Sequence, residues 1–296
     1  MLEPTDREIC LASELGAANI RRPLVVSYGG GVNSTAVLVG YAERGIIPDA
    51  IVFADTGGEK PETYQTVADV SAWCVAHGMP EITIVKRVPT VKADYLTLEE
   101  ECTQRGQLPS RAYGFSKCAS KWKVNPQIAW MKTWKPAVEA WADGRSVYKA
   151  IGFHVDEQRR VKGDLDKGVK LVYPLIEWGW DQRACRDAIA RSVLPQPVKS
   201  ACFFCPSSSK REVANMARTS PDLFARAVAI EAAADAKMRE VMAADPQFVR
   251  TVVGLGRNYT WLSIGAAAVS QCQLVFDDAA ESLPCGCHDG GDEDDD

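Results

Sequence analysis

Long hydrophobic runs are missing from this 296-residue chain: no segment approaches the roughly 20 apolar residues of a membrane-spanning helix. The first ten residues, MLEPTDREIC, are polar and acidic, which argues against a secretory signal. There is no internal repeat, and no dense Lys/Arg stripe marks a nucleic-acid surface. Two phosphate-binding signatures are absent as well. No Gly-Lys-Ser/Thr completes a P-loop, and no G-x-G-x-x-G follows a strand. Histidine is scarce, and neither His77 nor His154 stands at a metal-ligand spacing.

What is present is an ordinary globular composition, 46% hydrophobic and 25% charged, which excludes a disordered chain, a coiled coil or a disulfide mini-scaffold. The net charge of -5 is a property of one end. Six of the 39 acids fall in the last eight residues, and without them 34 basic residues face 33 acidic ones. Ten cysteines in a chain without a secretory signal point to thiols, metal ligands or an iron–sulfur site rather than disulfides. The expected compartment is therefore the cytoplasm.

A helix is expected over 5–18, followed by buried strands at 24–28, 50–54 and 81–85 alternating with helices at 34–44 and 61–77. That alternation predicts an α/β fold with a parallel sheet covered by helices on both faces. Residues 87–118 read as a long loop or a small insertion. A helix over 124–141 should be kinked or split by Pro136. Strands are expected at 147–153 and 170–175, a helix at 180–191, and an Ala-rich helical region from 208 to 245. The resulting division is an N-terminal helical arm (1–22), a nucleotide-binding α/β domain (23–206), a helical region (207–283) and a Cys-containing segment with an acidic tail (284–296).

Ser27-Tyr28-Gly29-Gly30-Gly31-Val32-Asn33-Ser34 lies between a strand and a helix start. Consecutive glycines present backbone N–H groups to an anion, and the helix N-terminus adds its dipole. The next strand ends in Asp55-Thr56-Gly57, where an acid can hold a ribose hydroxyl or Mg²⁺, or can close an Asx-type turn.

Together these segments resemble the PP-loop ATP pyrophosphatases, in the PAPS-reductase-like branch. The family loop S-G-G-x-D-S is met here with Gly29 in place of Ser and Asn33 in place of Asp. Asp55-Thr56-Gly57 with Glu62-Thr63, Ile151-Gly152-Phe153 with Asp156-Glu157 and Arg159-Arg160, and Tyr173-Pro174-Leu175 before Asp181 continue the likeness over about 24–206. The resemblance implies an adenine nucleotide alpha hydrolase-like, Rossmann-like fold. It also implies ATP or a related nucleotide with Mg²⁺ at Ser27, Gly29, Gly30, Gly31, Asn33, Ser34, Asp55, Thr56 and Gly152. Lys121, Lys123, Arg159 and Arg160 are its candidate anion-binding rim, with Lys121, Arg159 and Arg160 in catalytic roles.

Cys202-Phe203-Phe204-Cys205 is a C-x-x-C, able to hold a metal or to form a redox pair. With Cys118, and in the PAPS-reductase-like frame, it resembles the ligand set of a [4Fe–4S] cluster, with Cys102, Cys285 or Cys287 as a fourth ligand. Zn²⁺ and bare thiols are the alternatives. Cys10, Cys74, Cys185 and Cys272 read as small hydrophobes, and Trp130, Trp134 and Trp141 as core.

The resemblance implies an enzyme of sulfur chemistry, and adenylation-linked sulfur transfer leads. A nucleic acid or a sulfur carrier would be its partner, no membrane is involved, and a homo-oligomer is left open. The second reading is a sulfonucleotide reductase, in which Cys285 of Cys285-Gly286-Cys287-His288 would be the nucleophile, although Pro284 stands where that family has Glu. The third, motivated by Asn33, is a nucleotide-binding regulator without turnover.

Overall fold

A computed structural model of the protein describes residues 22–161, 163 and 168–270. The helix expected over 5–18, Cys10, Cys272, Cys285, Cys287, His288 and the acidic tail lie outside the described residues. Chain contacts divide the molecule into two units, each discontinuous in sequence. Unit one holds the described residues up to Phe53 together with Gln65–Ile84 and Gln127–Pro197. Unit two holds Ala54–Tyr64, Val85–Pro126 and the described residues from Val198 onward.

The apolar runs read from the sequence form strands β1 (Leu24–Tyr28), β2 (Ala50–Asp55), β3 (Ile82–Lys86), β4 (Val147–Ile151) and β5 (Val169–Val172). They build one sheet in the order β3-β2-β1-β4-β5. β1 pairs in parallel with β2 and β4, and β4 in parallel with β5. Every residue of β1, β2 and β4 is buried, which requires cover on both faces. Helix α1 (Val32–Glu43) is buried from Ser34 to Tyr41. Helix α2 (Pro61–Ala76) begins on Pro61, whose missing N–H costs nothing in a first turn. Because β2 and β4 flank β1, the strand order reverses between β1 and β4, where open α/β sheets form their ligand crevice. Cys74 and Cys185 are fully buried in the apolar core of this unit, as small hydrophobes.

Unit two has its own core around Trp122, Phe203, Phe204, Ile230 and Trp261. The segment read as a loop contains helix α3 (Leu98–Arg105). Thr97 and Glu100 form a reciprocal capping box at its start, and Gly106, at φ 58°, closes it in the left-handed conformation.

The stretch expected as one helix over 124–141 is α4 (Asn125–Met131), entered through a π-turn at Ser120–Val124, followed by α5 (Lys135–Ala142) with Pro136 in its first turn. β5 stops at Val172, short of the expected 175, because Pro174 opens helix α6 (Pro174–Glu177). Asp181 caps α7 (Gln182–Arg191) by accepting the Ala184 N–H at 2.7 Å. The Ala-rich region splits at Ser220-Pro221 into α8 (Lys210–Thr219) and α9 (Pro221–Ala244), and α10 (Trp261–Ser270) follows. No helix of the described residues is long and apolar enough to cross a membrane.

Candidate functional site

In unit one the glycine loop is built as its residue types require. Gly30 has φ 73°, a conformation that side chains rarely adopt. Ser34 Oγ accepts the Gly29 N–H at 3.1 Å and lies 3.2 Å from the Gly31 carbonyl, so the serine folds the loop back onto α1. No side chain caps the N-terminus of α1, and no acid occupies its first turn. Its leading N–H groups have no intrahelical acceptor and carry the positive end of the helix dipole.

The loop after β4 meets this one directly. A Cβ on Gly152 would lie 2.9 Å from Asn33 C and from Ser34 N. Only glycine allows two backbone segments to approach so closely. Ser27 is buried, and its hydroxyl donates to Gln127 Oε1 at 2.9 Å. Asn33 Nδ2 donates to Glu157 Oε2 at 2.6 Å, and the same buried carboxylate pairs with Arg160. Arg160 also lies over the Phe153 ring at 4.3 Å. Arg159 is exposed. Glu157 and Gln127 are residues of this site that the sequence reading did not single out as functional, since their partners are 124 and 100 positions away.

In unit two Asp55 closes an Asx-type turn. Its Oδ1 accepts the Gly57 N–H at 2.8 Å and the Tyr64 hydroxyl at 2.7 Å, and Oδ2 pairs with Lys86 at 3.2 Å. Lys121 pairs with Glu101 and donates to the Tyr95 hydroxyl at 2.6 Å. Burial opposes the charge on Glu101, but hydrogen bonds from Lys121 and Trp122 hold its carboxyl below the usual range.

Lys123, read as part of an anion-binding rim, is buried and pairs with Glu59 at 2.9 Å. Burial works against that ammonium, yet the charge of Glu59 outweighs it and raises the lysine. Glu59 bridges backbone-to-backbone with Cys202, and its Oε2 is buried without a partner. Thr56 Oγ1 lies 3.3 Å from Cys202 Sγ.

Cys118, Cys202 and Cys205 line one small cavity of about 20 Å³, together with Thr56 and Lys123. Cys102 interacts electrostatically with Cys118, Cys118 with Cys205, and Cys205 with Cys202, so four thiols form a chain through this unit. Burial pushes the Cys202 and Cys205 thiols up, with the charge of Glu59 adding to the effect on Cys202. The donor chemistry suits a thiophilic metal. The geometry does not: among the described residues no three His, Cys, Asp or Glu side chains stand as a ligand set, and the cavity has room for about one water. As placed, the three thiols fit neither a cubane nor a zinc cage.

No family model matches the chain. It is similar to the adenosine 5'-phosphosulfate reductase of Geobacillus kaustophilus (strain HTA426), with 37% identity over 136 residues, 45% of this chain and 50% of that protein. The protein of the same name from Geobacillus thermodenitrificans (strain NG80-2) is 35% identical over 136 residues, with the same coverage. The chain thus spans about half the length of the curated relatives it matches. Among solved structures it is similar to the U34-tRNA thiolase NcsA from Methanococcus maripaludis with its [4Fe-4S] cluster, at a TM-score of 0.38 and 13% identity over 87% of this chain and 85% of that one. A likeness that distant says nothing about activity. Over the 136 residues matched, the chain is homologous to adenosine 5'-phosphosulfate reductases, which are PAPS-reductase-like proteins.

Proposed function

We propose that the protein binds an adenine nucleotide, ATP in the leading reading, at the glycine loop of unit one and uses it in sulfur chemistry. The carrying observation is the crevice in which the glycine loop and Gly152 close on the uncapped N-terminus of α1. Such a site favours a phosphate or pyrophosphate group through fixed N–H donors that need no reorganisation. Gly29, Gly30, Gly31 and Ser34 shape the cradle. The Asn33 side chain is held by Glu157, and its backbone N–H is among the leading groups of α1 that no helical carbonyl accepts. Arg159 is the exposed cation of the adjoining turn, able to reach a bound phosphate. Mg²⁺, when bound with the nucleotide, would neutralise phosphate charge.

In the leading reading an acceptor oxygen, on a nucleic acid or a small molecule, attacks the α-phosphorus of ATP and pyrophosphate leaves. A sulfur nucleophile at the sulfide oxidation level, delivered by a sulfur carrier, then displaces AMP, which departs with that oxygen. The second reading, reduction of a sulfonucleotide, is favoured by the names of the curated relatives. Cys118, Cys202 and Cys205 are the residues proposed for a [4Fe–4S] cluster or Zn²⁺. As placed they form no ligand cage.

The test is calorimetry with a non-hydrolysable ATP analogue, followed by anaerobic assays of two products. Pyrophosphate released from ATP in the presence of thiolation acceptors supports the leading reading. Sulfite released from APS or PAPS supports the second. Nucleotide binding with neither product leaves a regulator, and loss of binding to every adenine nucleotide sinks all three.

A further inference from the structure

Unit two carries a surface turn whose side chains the nucleotide site does not use. Ser110–Tyr113 form a single 3₁₀ turn, closed by Gly114 at φ 93°. The turn is held firmly from within. Ser110 Oγ accepts the Cys118 N–H at 2.7 Å, and the Phe115 N–H donates to the Ser110 carbonyl at 3.2 Å. Arg111 Nη1 donates to the buried Ser116 hydroxyl at 3.0 Å.

On this frame two aromatic side chains stand in water. Phe115 is 53% exposed and Tyr113 37%, whereas Phe53, Phe153, Phe203 and Phe204 are buried. Three cations surround the pair. Lys117 places its ammonium 5.6 Å from the centre of the Phe115 ring. Arg111 belongs to the turn, and Arg257, 146 positions away, donates to the Arg111 carbonyl at 3.4 Å. None of the three makes an ion pair among the described residues. The neighbouring Lys121 and Lys123 are committed to Glu101 and Glu59 and do not count with them. Because Arg257 comes from a distant segment, no stripe of Lys and Arg marks this surface in the sequence.

Unpaired cations interleaved with exposed rings suit one kind of polymer. Phosphates meet the charges, and each ring offers a face on which an unpaired base can stack. A duplex keeps its base faces covered, and an acidic peptide brings charge without bases, so either would use the cations and leave the rings idle. Arg111 and the half-buried Cys118 also line the thiol cavity, so a strand held on this turn lies beside the thiols.

We propose that Arg111, Tyr113, Phe115, Lys117 and Arg257 form a binding surface for single-stranded nucleic acid, with a base stacked on Phe115 and phosphates on the cations. This names the acceptor class of the leading functional reading, and it rests on that reading only for what becomes of the bound strand. The experiment measures anisotropy of fluorescein-labelled single-stranded RNA and DNA of about 12 nucleotides with the full chain, without ATP. Salt is varied between roughly 50 and 200 mM. The expected dissociation constant at the lower salt is about 1–100 μM, with a log–log salt slope of about -2 from three cations. Phe115→Ala should weaken binding by about fivefold or more while leaving heparin, a polyanion without bases, bound as before. Lys117→Gln and Arg257→Asn, the latter suited to that residue's φ of 67°, should each reduce the slope by about 0.7. Absence of binding, unchanged affinity in Phe115→Ala, or tighter binding of a duplex overturns the assignment. Should Phe115→Ala fail to fold, an unchanged slope in Lys117→Gln overturns it instead. Failure of adenine-nucleotide binding in calorimetry would sink the functional reading and leave these affinities standing; the reverse result would strike this surface alone.

Discussion

Restoring the acid that the related loops carry, by Asn33→Asp, is expected to damage this protein rather than improve it. Asn33 Nδ2 sits 2.6 Å from Glu157 Oε2, and that carboxylate is only 4% exposed. The substitution removes a hydrogen bond to a charged group, worth about 1.5–3 kcal/mol. It also sets two carboxylates against each other. At 4 Å and an effective dielectric of 20 their repulsion is about 4 kcal/mol, some of it relieved by side-chain rotation. An acid in the first turn of α1 regains only about 0.3–1 kcal/mol from the helix dipole. The net expectation is a loss of about 2–4 kcal/mol. Asn33→Ala, which removes the donor without adding charge, should lose less. Urea denaturation with an unchanged m-value measures each loss. The double variant Asn33→Asp/Glu157→Gln restores a donor–acceptor pair with the roles exchanged and should recover most of the stability. If Asn33→Asp is as stable as the parent, or if the double variant recovers nothing, Glu157 does not hold the loop.

Three further outcomes follow from the same geometry. Gly152→Ala places a methyl 2.9 Å from backbone atoms of Asn33 and Ser34, so it should cost about 1–3 kcal/mol and weaken nucleotide binding at least tenfold by calorimetry. Glu59→Ala strands the buried Lys123 ammonium and should destabilise by about 3–5 kcal/mol in a thermal or urea melt; a loss under 1 kcal/mol would refute the buried pair. Lys149, in the middle of β4, is lowered by burial to about 8. The folded state therefore resists its proton, and the penalty is absent above the unfolded value near pH 10.4, grows as pH falls, and is complete below about 8. Lys149→Met should add roughly 3 kcal/mol at pH 7 and little above pH 10.5; equal gains at both pH values would contradict this.

The strands were legible because a fully buried parallel strand must be a short, continuous apolar run, and LVVSY, AIVFA and VYKAI are such runs. The glycine loop was legible for an equally local reason, since Gly30 needs a positive φ whatever surrounds it. Helix α3 was missed although its signals are in the chain. Thr97-x-x-Glu100 and Gly106 mark both ends, but eight residues carry too little periodicity to outweigh the polar stretch around them. Pro174 likewise ended a strand that apolar character alone would have continued.

Sequence by itself therefore determined the α/β class, the order of the strands along the chain and the glycine turn between β1 and α1. Each of these rests on spacing or on the sterics of single residues. Tertiary structure alone decided that β4 lies against β1, that Asn33 meets Glu157 and that Lys123 is buried on Glu59. The reason is physical. A charge or a polar hydrogen carries the same chemistry wherever it sits in the chain, and its role is set by which distant partner the fold places within hydrogen-bonding reach, and by how much water it removes.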